Sequence, residues 1–204
     1  NVAYTINPGT GPTITTQPAS QTVCEGSNAT FSVVAVGTYQ WQISTNGGGT
    51  WTNISGATSA SYTLTGVTVA LNGNQYRCVV SNTCASTNSN AAVLTVNTLP
   101  AITTHPQSVT VCSGSSNTFS VAATGTGISY QWQSSASGCS GPWTNISGAI
   151  SATYTLSGIT AGMNNTGYRC VVSGTCTPAV NSNCALLTVA TSVAITTQPV
   201  NQTV

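Results

Sequence analysis

Short runs of alternating hydrophobic and polar residues dominate the chain, and such alternation predicts β-strands. In residues 30–36, Phe31 and Val33 fall on one face of the predicted strand. Residues 76–80 alternate in the same way and place Arg77 on the outward face. Glycine- and asparagine-rich segments separate the runs and predict turns. No stretch has the periodicity of an amphipathic helix, so the predicted fold class is all-β.

The whole pattern occurs twice along the chain. The motifs Ile-Thr-Thr-Gln/His-Pro, Tyr-Gln-Trp-Gln, Trp-Thr-Asn-Ile-Ser-Gly-Ala and Tyr-Arg-Cys-Val-Val-Ser follow one another in the same order in both halves. They occupy residues 14–18 and 102–106, 39–42 and 130–133, 51–57 and 143–149, and 76–81 and 168–173. Self-similarity of this length predicts two tandem domains.

The boundaries follow from the motifs that begin and end each copy. The predicted repeats cover residues 13–98 and 99–193. Residues 1–12 have the pattern of the last strand of a preceding repeat, and residues 194–204 that of the first strand of a following one. The sequence is therefore predicted to be a window on a longer tandem array, and the short junctions predict that the array is semi-rigid.

Ionisable side chains are almost absent. Among 204 residues there are two arginines (Arg77 and Arg169), one acid (Glu25) and one histidine (His105). Charged residues make up 1% of the chain, against about 25% in an average soluble protein. Two arginines cannot neutralise a track of phosphates, which excludes nucleic acid as a partner. One carboxylate cannot build a Ca²⁺ or Mg²⁺ site, a glycosidase pair or a Ser-His-Asp triad, so we expect no enzyme, no catalytic residue, no metal and no cofactor.

Other features of the composition indicate an extracellular or cell-surface location. Eight cysteines imply an oxidising compartment with disulfides. No apolar run reaches the roughly 18 residues of a membrane span, so none is predicted in this segment. Five Asn-x-Ser/Thr sequons suit extracellular exposure and are possible glycosylation sites, namely Asn28, Asn53, Asn145, Asn164 and Asn201.

Each repeat contains the same series of core residues: a Trp on a central strand, a Leu-x-x-Val/Ile pair and a Tyr-x-Cys pair. The series is Trp41, Leu64, Val67, Tyr76 and Cys78 in the first repeat, and Trp132, Leu156, Ile159, Tyr168 and Cys170 in the second. This series resembles the immunoglobulin (Ig) fold. The resemblance implies two tandem Ig-like β-sandwiches, with the Trp in the core and the Tyr at the corner that begins strand F. The chain is also similar to tandem Ig-like repeats of large bacterial secreted and cell-surface proteins of the adhesin or filament type, many of them from bacteria that use type IX secretion.

Two features depart from the Ig pattern. Where Ig domains place a cysteine on strand B, this chain has Val33 and Val121, and the Asp that usually precedes the corner Tyr is missing. The standard disulfide and the Asp–Arg pair of the family therefore do not carry over unchanged.

Three cysteines align between the repeats: Cys24 with Cys112, Cys78 with Cys170, and Cys84 with Cys176. Because Cys24 lies near the base of the sandwich, where strand F begins, we predict the pairs Cys24–Cys78 and Cys112–Cys170. Cys84 is an equal candidate partner for Cys24, since spacing does not determine connectivity.

The remaining two cysteines, Cys139 and Cys184, occur only in the second repeat. Their joint presence indicates that they were gained as a pair or jointly rearranged the local pairing. The first repeat has an odd number of cysteines, so a bond to another repeat or another chain is predicted unless one thiol stays free.

The remaining candidate residues lie on the predicted surface. Trp51 and Trp143, which precede Thr-Asn-Ile-Ser, are expected to pack on the sheet edge or to stack on a sugar ring. Arg77 and Arg169 have almost no acids to pair with, so we expect them to bond backbone carbonyls or to lie across a neighbouring aromatic ring. His105 is interpreted as a surface substitution.

Together these features favour a structural function: a segment of a long extracellular Ig-like repeat protein that forms a surface filament, stalk or adhesin shaft. The expected partners are then other copies or repeats of itself. One alternative is an adhesion module that binds glycans or a surface receptor through Trp51 and Trp143. Another is an Ig-like decoration domain of a viral tail or capsid.

Overall fold

The chain forms two units, which are described separately. The computed structural model describes residues 10–190 together with residues 197 and 202, and the chain divides into two compact units after Thr98. The flanking strands predicted in residues 1–12 and 194–204 lie almost entirely outside the described residues.

Within residues 10–98 the first unit has ten short strands and one 3-10 turn, Val69–Leu71. The strands are β1 (Ile14–Thr16), β2 (Gln21–Cys24), β3 (Ala29–Ser32), β4 (Val34–Ala35), β5 (Thr38–Ser44), β6 (Thr52–Asn53), β7 (Ser61–Leu64), β8 (Gln75–Ser81), β9 (Ser86–Asn88) and β10 (Ala92–Asn97).

The second unit repeats this series and has two 3-10 turns, Gly138–Ser140 and Ala161–Met163. Its strands are β11 (Ala101–Thr104), β12 (Val109–Cys112), β13 (Asn117–Ser120), β14 (Ala122–Thr124), β15 (Ser129–Ser135), β16 (Thr144–Asn145), β17 (Thr153–Leu156), β18 (Thr166–Ser173), β19 (Val180–Asn181) and β20 (Ala185–Ala190).

Each unit is a β-sandwich with the strand order of an Ig-like domain. In the first unit a six-stranded sheet has the order β2-β10-β8-β5-β6, with β9 paired to β8, while β3 pairs with β7 and β1 with β4. Strand β2 runs parallel to β10, and the other pairs are antiparallel. The second unit has the same arrangement, with β12 parallel to β20. The predicted all-β, tandem Ig-like fold is confirmed.

The core of each unit is built around one tryptophan, as predicted. Trp41 and Trp132 are fully buried, and Trp41 Nε1 donates a hydrogen bond to the Ser59 carbonyl at 3.0 Å. Phe31 stacks on Tyr76 with 4.7 Å between the ring centroids. Along β8 the side chains alternate between buried and partly exposed, which directs Arg77 outward as predicted.

Tyr76 begins strand β8, at the corner position that the Ig resemblance implies. Its hydroxyl is buried and has no hydrogen-bond partner among the described residues. The ring of Tyr76 is held in the core by its stacking on Phe31.

Candidate functional site: two arginine–tryptophan clusters

One row of polar side chains crosses three neighbouring strands of the large sheet. In the first repeat Gln42 on β5 lies opposite Asn53 on β6 and opposite Arg77 on β8. Directly opposite residues on adjacent strands point to the same face, so these three side chains meet on the outer surface of the sheet. Trp51 lies two residues before Asn53 and completes the cluster.

The contacts of the cluster form a continuous chain. The Arg77 guanidinium lies 4.3 Å from the centroid of the Trp51 ring. Arg77 Nε donates to Gln42 Oε1 at 2.7 Å, and Gln42 Nε2 donates to Asn53 Oδ1 at 2.8 Å. The prediction that the arginine lies across an aromatic ring is confirmed, while its hydrogen bond goes to a side-chain amide rather than to a backbone carbonyl.

The second repeat has the same cluster with nearly the same distances. Arg169 lies 4.4 Å from the centroid of the Trp143 ring and donates to Gln133 Oε1 at 2.8 Å. Gln133 Nε2 donates to Asn145 Oδ1 at 2.8 Å. The arrangement is thus a property of the repeating unit.

A tight turn holds Trp51 in the first repeat. The Trp51 Nε1 group donates to the Gly48 carbonyl at 3.1 Å, and the Gly48 amide donates to Ser44 Oγ at 2.9 Å. Gly48 has a φ of 94°, a conformation that L side chains rarely adopt. The turn between β5 and β6 therefore needs glycine in order to place the tryptophan beside the arginine.

Each cluster carries a positive charge without an acidic partner. Partial burial against the tryptophan lowers the pKa of both Arg77 and Arg169, but an arginine stays protonated at neutral pH. Within residues 10–190 each arginine makes one hydrogen bond, the one from Nε. The terminal nitrogens of the guanidinium therefore keep donors for an acceptor outside the domain.

This geometry limits how the tryptophans can bind a ligand. A sugar ring stacked on Trp51 or Trp143 needs a free ring face, and the guanidinium already covers one face of each indole. The exposed chemistry of the cluster is a partly dehydrated cation beside two amides, which suits hydroxyl or carbonyl acceptors. Gln42 and Gln133 are not among the predicted site residues, and Asn53 and Asn145 are predicted only as possible glycosylation sites, although all four recur in the motifs Tyr-Gln-Trp-Gln and Trp-Thr-Asn-Ile-Ser.

The cysteines pair differently from the prediction. Cys139 and Cys184 form a disulfide with 5.6 Å between their Cα atoms, in agreement with their joint occurrence. Cys24 and Cys176 are also disulfide-bonded. The predicted pairs Cys24–Cys78 and Cys112–Cys170 are wrong, because Cys78, Cys84, Cys112 and Cys170 are free thiols.

The physical reason is the direction in which the strand F cysteines point. Cys78 and Cys170 are fully buried in the sandwich cores. The position where an Ig domain has its other cysteine is filled by Val33 in the first core and Val121 in the second. Burial raises the pKa of both thiols, so they stay protonated and pack as small apolar groups.

The sequon asparagines in the described part of the chain are all exposed, and each has a structural contact. Asn28 Oδ1 accepts from the Gly66 amide at 3.1 Å, and Asn164 Oδ1 accepts from the Val189 amide at 2.9 Å. Asn53 and Asn145 belong to the two clusters. Asn201 lies outside the described residues.

The described residues contain neither a cluster of metal-ligating side chains nor a membrane-spanning helix. Nowhere in that part of the chain do three or more His, Cys, Asp or Glu side chains come together as they would around a metal ion. It also contains no helix of the length and hydrophobicity needed to span a membrane.

Two comparisons with known sequences bear on these sites. A family model described as "Domain of unknown function (DUF8696)" matches residues 13–98 and 101–191. Endoglucanase C of Cellulomonas fimi is 34% identical over 168 residues. The matched region covers 79% of this chain but only 15% of that protein, so the likeness concerns a small part of the endoglucanase.

Solved structures share the fold at low sequence identity. The I-band fragment I67–I69 of titin has a TM-score of 0.65 at 16% identity, covering 90% of this chain and 67% of that one. DIP-gamma IG1+IG2 has a TM-score of 0.62 at 16% identity, covering 87% and 97%. Rst D1–D2 has a TM-score of 0.60 at 15% identity, covering 89% and 100%. All three are tandem Ig-like structures, and at this identity the likeness concerns the fold alone.

Proposed function

The chain belongs to the family described as "Domain of unknown function (DUF8696)", and on this premise we propose that it is a structural segment of a long extracellular repeat protein. In this proposal the protein forms a surface filament, stalk or adhesin shaft. The observation that carries the proposal is that each repeat has a complete core of its own while both present the same nearly uncharged surface. A unit of this kind can be repeated without redesigning its interior.

The lack of charge supports assembly through contact rather than through electrostatic steering. With a net charge of +1 there is almost no long-range repulsion between copies. Threonine hydroxyls line the exposed strands instead, as in the pair Thr30 and Thr63, whose hydroxyls hydrogen-bond at 2.9 Å. Such surfaces associate through hydrogen bonds and close packing, which salt screens little.

The disulfides support an extracellular location. Cys139 and Cys184 are bonded within the second repeat, and disulfides of this structural kind persist in oxidising compartments. The protein is therefore proposed to act after secretion, at the cell surface or beyond it.

Electron microscopy of native material tests the structural proposal. We expect fibres or stalks of uniform width whose abundance is the same at low and high salt. A matched control is the double variant Thr95→Lys, Thr188→Lys, which adds one charge at the same exposed position of each repeat and is expected to make association salt-dependent. Native material that consists only of compact single particles would contradict the proposal.

A second candidate function is glycan binding. It is favoured by the exposed arginine–tryptophan clusters, whose guanidinium donors and amides suit sugar hydroxyls, and by the likeness to part of Endoglucanase C. In this function the protein, or the protein of which it is part, holds a polysaccharide while another domain acts on it.

Binding to insoluble β-glucan and to a glycan array tests the second candidate. We expect Arg77→Ala combined with Arg169→Ala to weaken retention by about tenfold, since about 1.4 kcal/mol corresponds to that factor. Thr63→Ala combined with Thr155→Ala, on the strands away from the clusters, is the matched control. Equal retention of the two double variants on the glycan would contradict the glycan-binding function.

A further inference from the structure

In each repeat one cysteine ends the first strand of the six-stranded sheet, which is β2 or β12. It lies beside the point where the chain leaves the domain. Cys24 ends β2 and lies opposite Asn97, the last residue of β10. Cys112 ends β12 and lies opposite Ala190, the last residue of β20. We call this end of each domain its C-terminal pole.

Each repeat carries a second cysteine at the opposite end, in the turn that follows strand F. Cys84 lies between β8 and β9, in a turn whose Asn82 side chain donates to the carbonyl of Thr10 at 3.0 Å. Cys176 lies in the equivalent turn between β18 and β19, where Gly174 lies close to Pro100. These turns therefore sit where the chain enters each domain, at its N-terminal pole.

The bonding state of these positions alternates between the repeats. At the C-terminal pole Cys24 is disulfide-bonded and its counterpart Cys112 is free. At the N-terminal pole Cys176 is disulfide-bonded and its counterpart Cys84 is free. Both positions are thus used for disulfides in this fold, which is an observation independent of the two exposed thiols themselves.

The two free pole thiols are accessible, in contrast to the other free thiols. Cys84 and Cys112 are exposed, whereas Cys78 and Cys170 are fully buried. The turn around Cys84 is preformed, because Asn82 Oδ1 accepts hydrogen bonds from the amides of Cys84 and Ala85, both at 2.9 Å. This Asn turn fixes the backbone that presents the thiol.

From this arrangement we propose that Cys84 and Cys112 are head-to-tail cross-linking sites, each forming a disulfide with the opposite pole of another copy of the domain. Cys84 pairs with a C-terminal-pole cysteine, and Cys112 pairs with a cysteine in the turn after strand F. Because the two surfaces of such a contact differ, the contact repeats head to tail, and it produces a covalent filament where the rotation between copies does not close a ring. The inference rests on the proposed structural function and identifies the atoms that would join its units.

The bond forms by thiol–disulfide exchange with a low-molecular-weight disulfide such as glutathione disulfide. The thiolate of one cysteine, having lost its proton to solvent, attacks that disulfide and releases one reduced thiol. The second cysteine then attacks the mixed disulfide and releases another. Two cysteine thiols are oxidised to one disulfide, and the external disulfide is reduced to two thiols, so electrons and protons balance.

Cross-linking of this chain in a glutathione redox buffer tests the proposal. We expect a ladder of covalent oligomers on non-reducing gels, and a Cys84–Cys112 peptide as the main intermolecular bond by mass spectrometry. Cys84→Ser alone and Cys112→Ser alone are each expected to lose the ladder. A mixture of the two single variants restores one Cys84–Cys112 bond and should stop at dimers.

Three results would overturn the proposal: no intermolecular bond, predominant Cys84–Cys84 or Cys112–Cys112 pairing, or the same pairing pattern in urea as in buffer. The variant Ser86→Cys, Cys84→Ser moves the thiol along the same hairpin and serves as the positional control, with a much weaker ladder expected. Native fibres whose Cys84 and Cys112 remain open to alkylation would overturn the cross-link while leaving the structural function in place. A Cys84–Cys112 ladder in vitro without native fibres would uphold the cross-link and contradict the structural function.

Discussion

The two repeats use different means to hold the same loop, which lies between β5 and β6 in the first repeat and between β15 and β16 in the second. In the first repeat the buried Ser44 hydroxyl donates to Asn46 Oδ1 at 2.8 Å and accepts from the Gly48 amide at 2.9 Å. In the second repeat the equivalent Ser135 hydroxyl is buried without a partner among the described residues. There the loop is tied instead by the Cys139–Cys184 disulfide.

A neighbouring position changes together with the loop. Ser44 lies opposite Gln75, and Ser135 lies opposite Gly167. A Cβ atom at Gly167 would collide with the Gly138 carbonyl and would lie 3.0 Å from Cys184 Sγ. The disulfide therefore requires a residue without a side chain on strand F. The difference shows that the loop can be held either by hydrogen bonds or by a disulfide, and that each solution requires a different residue on the neighbouring strand.

Loss of the disulfide is expected to have the largest effect on this comparison. Replacing Cys139 and Cys184 by serine should lower the free energy of unfolding of the second repeat by about 2–4 kcal/mol, because a closed loop restricts the unfolded chain. The bond spans 45 residues. Calorimetry and hydrogen exchange should show the loss in residues 99–190 and not in residues 10–98. An equal loss in both repeats would show that the bond does not act locally.

Alkaline pH is expected to have the next largest effect. Burial raises the pKa of Tyr168 to about 12, while an unfolded tyrosine titrates near about 10. Below about pH 10 the tyrosine is protonated in both the folded and the unfolded state, so its contribution to the free energy of unfolding is constant. Between about pH 10 and 12 only the unfolded state loses this proton, so the free energy of unfolding falls as the pH rises. The loss for the second repeat is on the order of 2 kcal/mol at the upper end.

The variant Tyr168→Phe tests the assignment of this pH effect. It should flatten the decline between about pH 10 and 12 for the second repeat and leave the first repeat unchanged. Tyr76→Phe is the matched change in the first repeat, where burial also raises the tyrosine pKa. Urea unfolding followed by hydrogen exchange at several alkaline pH values resolves the two repeats.

Replacing the buried serine of this loop by alanine is expected to have a smaller effect on stability, and the effect should differ in sign between the two repeats. Ser44→Ala should destabilise the first repeat by about 1–2 kcal/mol, because it removes three hydrogen bonds and leaves the Gly48 amide without its acceptor. Ser135→Ala should be neutral or stabilising, since it removes a buried hydroxyl that has no partner. Urea midpoints of the two variants check this, and a large loss from Ser135→Ala would contradict the comparison.

The smallest expected effect concerns the one histidine. Gln17 Oε1 accepts from the Asn90 amide at 2.8 Å, and His105 Nδ1 accepts from the Asn183 amide at 3.1 Å. His105→Gln should therefore leave the stability of the second repeat unchanged, whereas His105→Ala and Gln17→Ala should each cost about 1 kcal/mol. Thermal melts of the four proteins make the comparison, and a loss in His105→Gln equal to that in His105→Ala would contradict the shared role.

Much of the fold could be predicted because it depends on local patterns. The alternation around Phe31 and the spacing from Trp41 to Tyr76 determine which faces are buried, and the structure confirms both. The outward direction of Arg77 follows from the same period of two. With almost no carboxylates in the chain, the choice of an aromatic partner for the arginine could also be predicted.

The disulfide connectivity and the hydrogen bonds between side chains could not be predicted, since they depend on which strands pair. The period of two places Cys78 on the buried face, where it lies opposite Trp41 in β5. Whether another cysteine comes within bonding distance of it depends on how the two sheets pack, and spacing alone gives no information on that. The hydrogen bonds of Gln42 likewise require that β6 and β8 both lie beside β5. The hydrogen bond that His105 accepts from the Asn183 amide could not be predicted either, because it depends on which segments lie side by side.

The parallel pairing of β2 with β10 has a mechanical consequence. Their ladder runs from Leu94 opposite Gln21 to Asn97 opposite Cys24. The chain enters the domain through β1 and β2 and leaves it at the end of β10. A pull on its two ends therefore draws β2 and β10 in opposite directions along their own length. The bonds of the ladder then bear the load together in shear, instead of opening one after another. A domain with this strand arrangement is therefore expected to resist a force applied along the chain.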